Sequence, residues 1–281
     1  MMEVTKENLA GVLSLIKQRE TTFFFSDFNF LSAHRGHRPG NLHLYIGVAH
    51  GGKSTLIRSL ILDALRKVQK NKKVVIWLSE ETEQDFLIEF SMAMKSFDQT
   101  DAILLYKKLR IYSEMNLSKH FKNESLTQKF NYFVNEINRE DVDIVFFDNV
   151  TTSEFYMDQD VETQSYFIKQ LKEKAGNANV PLILVAHTGA DTTENSFRLI
   201  SMNDIRGCKS IINLVQYCYI LQRFQISDFY FPTLRITKHR GQTVENKMYY
   251  IEYCKEKNLY IKDRSINFEE MKENFKRRNV L

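Results

Sequence analysis

The stretch Gly47-Val48-Ala49-His50-Gly51-Gly52-Lys53-Ser54-Thr55 limits what this chain can fold into more than any other segment. It fits the pattern G-x-x-x-x-G-K-[ST]. It also lies between a strand-like run, "LHLYIG" (42–47), and a helical one over 53–68, which is the context that gives the pattern its meaning. A glycine-rich loop in that setting turns backbone N–H groups around phosphate oxygens, and the following helix adds the positive end of its dipole. Gly47, His50, Gly51, Gly52, Lys53, Ser54 and Thr55 are therefore the expected ATP-binding set. Lys53 reaches the β and γ phosphates, and Ser54 offers its hydroxyl to Mg²⁺.

A phosphate loop between a strand and a helix calls for an α/β chain, and the rest of the sequence reads that way. Strand-like runs at 73–79 ("KVVIWLS"), 142–148 ("VDIVFFD") and 180–187 ("VPLILVAH") alternate with helical patterns at 82–97, 117–139 and 161–176. "ILLYKKLRIYS" (103–113) reads as strand material. "SIINLVQYCYILQRF" runs from helix into strand, and "LRITKHR" (234–240) and "KMYYIEYCKEKNLYIKD" read as closing strands. Continuous apolar strands separated by helices predict a mostly parallel sheet with helices on both faces, and the closing strands predict antiparallel additions at one edge. An amphipathic helix over 5–19 and an aromatic arm, "FFFSDFNF", precede this core. The expected organisation is a helix and arm over 1–36, which packs on a neighbouring subunit or on its own domain, a core over 37–263 and a basic tail over 264–281.

Composition narrows the setting. Of the 281 residues 43% are hydrophobic and 26% charged, which predicts a packed core. The formal charge of +4 permits an anionic partner without demanding one. Three cysteines, none in a C-x-x-C pair, suit a reducing compartment, and no apolar run approaches a membrane-spanning length. A cytoplasmic protein with no membrane partner is expected. His34 and His37 lack the cysteines or carboxylates that would complete a tetrahedral metal site.

Two further groups belong near the phosphates. Asp148 emerges at the C-terminal end of an apolar strand about 95 residues after Lys53, where ligands bind in open α/β sheets, and can hold Mg²⁺ through water. Asp143 precedes that run and lies at the wrong end. "VVIWLSEET" supplies Glu80 and Glu81 to orient and deprotonate water; adjacent residues face opposite ways on a strand, so one of the two looks into the site.

Together these residues resemble the RecA-like ATPases, and among them the DnaB-type hexameric replicative helicases and their RepA-like relatives. "HRPGNLHLYIGVAHGGKST", "VVIWLSEET", "VDIVFFDN", "LKEKAGNANVPLILVAHT", "DIRGCKSIINLVQYCYILQR" and "LRITKHRGQ" follow that group's order over about 37–245. The resemblance implies that Glu81 activates water and that His187 stands where the group senses the γ-phosphate. It implies that Lys238 and Arg240 act as positive fingers on a neighbouring subunit's nucleotide. It also implies a homo-oligomeric, hexameric ring with single-stranded DNA in its channel and replication proteins as partners. The chain departs from the group at Cys208, where serine is usual, and at His50. The segment before the core is too short for the amino-terminal domain of larger relatives, so primase activity is not expected.

In such a ring two loops line the channel: "NVTTSEFYMDQDVET", which is acidic, and "TGADTTENSFRLISMNDIRG". The second offers Arg198 and Arg206, with Lys209 beyond and Phe197 for a base or sugar contact. The expected function is an ATP-driven helicase or translocase core. The alternative is a nucleotide-switched recombination mediator or replication accessory factor, in which ATP controls assembly without unwinding. A small-molecule kinase fits less well, because the late Lys-x-Arg strand points to intersubunit chemistry.

Overall fold

The computed structural model describes residues 27–32, 36–120, 124–189, 198–226, 229–240, 247–270 and 273. A short helix α1 (Asn29–Ser32) leads to β1 (Leu42–Gly47), α2 (Lys53–Lys67), β2 (Lys73–Leu78), α3 (Glu83–Met94), α4 (Gln99–Lys108) and β3 (Leu109–Ser113). Next come α5 (Glu114–His120), α6 (Leu126–Ile137), β4 (Val142–Asp148), α7 (Val161–Ala178) and β5 (Leu182–His187). After a single 3₁₀ turn (Met202–Asp204), α8 (Ser210–Leu214) precedes β6 (Tyr217–Ile226), β7 (Phe229–His239), β8 (Met248–Cys254) and β9 (Leu259–Ile266).

Among the described residues nine strands form one sheet in the order β3-β2-β4-β5-β1-β6-β7-β8-β9. The pairings from β3 to β6 are parallel, and those from β6 to β9 antiparallel. The predicted α/β class with an antiparallel edge is therefore the observed one. Strand alternation sends Val74, Ile76 and Leu78 to one face, under Leu60 and Leu65 of α2 and Phe86 and Phe90 of α3. Val75 and Trp77 go to the other face, with Phe133 of α6 and Phe167 and Leu171 of α7. Burial on both sides is why these strands read as unbroken apolar runs.

Three expectations shift. "ILLYKKLRIYS" is strand only from Leu109. The Asp98 carboxylate accepts from the Asp101 N–H at 2.8 Å and starts α4, which leaves Ile103 and Leu104 46% and 43% exposed. The helical stretch at 117–139 becomes α5 and a separate α6, the latter started by a Ser125/Gln128 capping box. The boundary drawn at 263/264 falls inside β9, where Arg264 pairs with Tyr250 and Asp263 is buried, accepting from the N–H groups of Asn29 and Phe30 at 2.6 and 2.8 Å.

The described end of the aromatic arm lies on its own domain. Phe28, Phe30 and Leu31 are buried, and Phe30 packs edge-on to Tyr219. The helix expected at 5–19 and the basic run at 276–278 lie outside the described residues. Among the described residues no helix is long and apolar enough to cross a membrane, and no His/Cys/Asp/Glu cluster suits a metal.

Candidate functional site

The phosphate loop leaves β1 at Gly47 and enters α2 at Lys53. Its backbone takes two left-handed residues, His50 (φ 57°) and Gly52 (φ 88°). A side chain at Gly52 would also meet the Tyr260 hydroxyl at 2.5 Å, so this position is closed to anything larger than glycine. The loop borders a cavity of about 500 Å³ lined by Ala49 to Thr55 together with Glu80, Asp148, Asn149 and His187. These side chains come from the C-terminal ends of β1, β2, β4 and β5, the ligand side of a parallel sheet.

A hydrogen-bonded chain crosses the cavity. The buried Lys53 ammonium donates to the Val48 carbonyl at 2.7 Å and to His187 Nδ1 at 2.8 Å. His187 Nε2 lies 2.8 Å from Glu80 Oε1. An ammonium can only donate and a carboxylate only accept, so the neutral His187 ring here carries its proton on Nε2. Burial pulls the Lys53 pKa down from 10.5 to about 8, against the pull of Asp148 and Glu80. The hydrogen bond from His187 holds Glu80 below the usual carboxylate range. Asp148, 8% exposed, is pushed upward by burial and opposed by a hydrogen bond from Ser54.

That Ser54–Asp148 contact tests the expected metal. A hydroxyl and a buried carboxylate, in hydrogen-bond contact beside the phosphate loop, are two hard oxygen donors of the kind Mg²⁺ takes along with phosphate oxygens and water. The residues present fit the ion.

The two glutamates separate. Glu80 lines the cavity. Glu81, which the resemblance put in the water-activating position, is held away from it by Arg58, whose Nη2 donates to both carboxylate oxygens at 3.3 and 3.0 Å. Lys238 and Arg240 do not reach the cavity at all. Gly47 pairs with Leu221, and Leu221 with Leu234, so β7 passes the phosphate loop at Leu234 and runs away from it. At about 3.3 Å per residue, Arg240 sits roughly 20 Å farther along. Lys238 Nζ donates to the Ile212 carbonyl of α8 at 2.6 Å, and Arg240 is exposed.

Of the two expected loops, the first is packed down. Val150, Ser153, Phe155 and Tyr156 are buried, and Glu114 of α5 accepts from Trp77 Nε1, Ser153 Oγ and the Glu154 N–H. In the second, residues 190–197, Phe197 included, lie outside the described residues. Arg198 is exposed and pairs with Asp204 at 2.8 Å; Arg206 and Lys209 are exposed. Both loops are tied to His187: its N–H donates to Thr151 Oγ1 at 3.0 Å, and its carbonyl accepts from the Arg206 N–H at 2.9 Å. Tyr156 then joins them, its hydroxyl accepting from the Cys208 N–H at 2.8 Å. Gly207 (φ 87°) is required there, because a Cβ would meet the Tyr156 ring at 2.5 Å.

Sequence reading missed Asn149, whose Nδ2 donates to Glu80 at 3.3 Å, and Arg223, which donates to the His50 carbonyl at 3.3 Å. Asn149 follows Asp148 directly, and that adjacency was the available signal. Arg223 is a lone cation in a strand 173 residues away from His50 and carries none.

Comparison with known proteins agrees with this architecture. The family described as an AAA domain matches residues 32–193, more than half of the chain. Among many solved structures that match is the ATPase domain of G40P, at 15% identity and a TM-score of 0.71, covering 93% of this chain and 99% of that one. No curated protein sequence matches significantly.

Proposed function

We propose that this chain, which belongs to the AAA-domain family and has a RecA-like P-loop fold, hydrolyses ATP between adjacent copies of itself and uses the turnover to move on single-stranded DNA. The observation that supports the reading is the separation of the phosphate cavity from the late Lys-x-Arg strand. One chain brings the phosphate loop, Glu80, Asp148 and His187 to one end of the sheet. It carries Lys238 and Arg240 toward the other end, out of reach of its own phosphate loop, where in this reading they serve a second copy.

In this reading the N–H groups of the loop and Lys53 grip the triphosphate. Ser54 and Asp148 would hold Mg²⁺, which would supply charge neutralisation to the triphosphate. The γ-phosphate takes over Lys53 from His187 and Val48. Glu80, positioned by His187 and Asn149, accepts the proton of the attacking water. Arg240 of the adjacent copy stabilises the charge that develops on the transferred group. His187 is bonded to the segments after β4 and β5, which gives a physical route from phosphate to the exposed Arg198, Arg206 and Lys209. A homo-oligomeric ring, hexameric in the resembling group, and a cytoplasmic role beside replication proteins belong to this proposal.

The packed, acidic segment after Asp148 favours a second reading. With that segment folded onto the core, only the second loop is left to touch DNA, which suits a nucleotide-switched mediator or accessory factor that binds without unwinding. ATPase assays with and without single-stranded DNA, run beside a strand-displacement assay, decide between them. The motor reading expects stimulated turnover and displacement. ATP-dependent DNA binding with no displacement overturns it in favour of the switch.

A further inference from the structure

Glu80 and Glu81 are adjacent, yet their side chains have different partners. Glu80 turns into the phosphate cavity and meets His187 and Asn149. Glu81 turns toward α2, where Arg58, in the second turn of the helix that begins at Lys53, donates to both carboxylate oxygens. The pair is shielded: Arg58 is buried, and its guanidinium lies 5.8 Å from the Phe86 ring centre. Arg58 Nε finds no hydrogen-bond partner among the described residues, and its ion pair runs through Nη2 to Glu81 at 3.0 Å. The Glu81 backbone is fixed as well, its carbonyl accepting from Ser113 Oγ at 2.8 Å.

The charges around this pair explain why it matters. Glu81 and Asp148 are close enough to repel, and Arg58 acts on both. The cavity already holds Glu80 and Asp148 where a polyanion must enter. A third free carboxylate there would oppose the triphosphate and compete with Glu80 for His187 and water. Paired to a buried cation, Glu81 adds no net charge.

We propose that Arg58 decides which of the two adjacent carboxylates serves the phosphate site: by holding Glu81 in a shielded ion pair against α2, it keeps that charge out of the cavity and leaves Glu80 there alone. Arg58 is a positioning residue, acting through Glu81. The inference rests on the reading that Glu80 activates water, and its test keeps the two separable.

The test is a double-mutant cycle on the full chain, with Arg58→Met, Glu81→Gln and both together, beside Glu80→Gln. Two quantities are read: the affinity for a fluorescent ATP analogue, which needs no turnover, and steady-state turnover. Arg58→Met lowers affinity and turnover by about tenfold each, because Glu81 is released toward the cavity. Adding Glu81→Gln restores both to within about threefold of Glu81→Gln alone, because the released charge is gone. Glu80→Gln loses turnover and keeps affinity. If the double variant is no better than Arg58→Met, Arg58 serves packing only and the inference falls; an unaltered Arg58→Met protein sinks it equally. If instead Glu80→Gln turns over normally and Glu81→Gln does not, the assignment of Glu80 fails, whatever the affinity cycle gives. Melting temperatures on the same samples separate loss of fold from loss of function. Should Arg58→Met not fold, Arg58→Gln drops the charge with a polar side chain and carries the same expectations.

Discussion

In the parallel part of the sheet every strand from β3 to β6 points its C-terminal end to the same side. Three of them end at the cavity: β1 at the phosphate loop, β4 at Asp148 and β5 at His187, with Glu80 two residues past β2. In the antiparallel edge β7 runs the other way and delivers Lys238 and Arg240 to the far side. The strands around β7 also meet the loop: Arg223 of β6 donates to the His50 carbonyl, and Tyr260 at the start of β9 abuts Gly52. The two ends of the edge thus differ: one touches its own chain's loop, and the other holds Lys238 and Arg240 away from it. A parallel strand in the position of β7 would carry those cations toward the chain's own phosphate loop. Under the proposed division of labour, the reversal of that one strand is the feature that calls for a second copy.

The sharpest way to break this comparison is at Arg240. Arg240→Ala should lower turnover by about 10³-fold, the scale of a lost arginine finger, while ATP binding is retained. Lys53→Ala should abolish binding in its own site yet leave Arg240 intact. Neither variant works alone. Mixed in equal amounts, they form some interfaces with an intact loop from one copy and an intact finger from the other. With random assembly and independent sites about a quarter of wild-type turnover returns. No recovery on mixing, with mixed oligomers demonstrated, removes the division of labour between copies, and so does full turnover of Arg240→Ala.

The other end of the edge is tested by Tyr260→Ala. Tyr260 is buried against Gly52, and its N–H donates to Ser59 Oγ of α2 at 2.9 Å. Removing the ring should cost about 3 kcal/mol of stability, read by denaturant unfolding, as for other large buried aromatics. It should also weaken ATP binding, because the loop loses its backing. A variant that is destabilised but binds ATP normally would reduce the role of β9 to packing.

The two parts also differ in how legible they were. The parallel part announced itself because its chemistry demands rare residue types in fixed order: glycines where backbone must approach phosphate, Lys53 and Ser54 at the helix start, Asp148 after a buried run. The question left open there, which of Glu80 and Glu81 faces the cavity, is a matter of register. Strand alternation ends at Leu78, the last residue paired with β4, and beyond it the chain bends, so nothing local distinguishes Glu80 from Glu81. Arg58 meets Glu81 from 23 residues away, through a contact that no local pattern encodes. Ile103 and Leu104 misled for a related reason: an apolar run followed by a real strand looks continuous until Asp98 is recognised as a helix cap. The antiparallel edge was legible as strands, but its contacts to the loop join residues 173 and more positions apart and leave no mark on local composition.

The smallest expected effect concerns Lys53 and is the most specific to the parallel part. Burial lowers its pKa from 10.5 to about 8, so the folded protein without nucleotide sheds this proton at a pH where the unfolded chain keeps it. Between those two values the unfolded chain binds the extra proton, and stability without nucleotide rises with pH. Below about pH 8 that contribution is absent, because Lys53 is charged in both states. ATP reverses the preference, since a triphosphate beside Lys53 favours the ammonium and raises its pKa again. Binding therefore takes up a proton above about pH 8, and affinity falls by up to about tenfold per unit of pH in that range. Calorimetry in two buffers of different ionisation enthalpy measures the uptake directly, and Lys53→Arg, which stays charged throughout, should abolish it. Opposite pH slopes for stability and affinity in the native chain, both lost in Lys53→Arg, identify the lysine. An ATP affinity that stays flat from pH 7 to 9.5, with no proton taken up, would mean that the ammonium seen against His187 and Val48 is not the group that grips the phosphates.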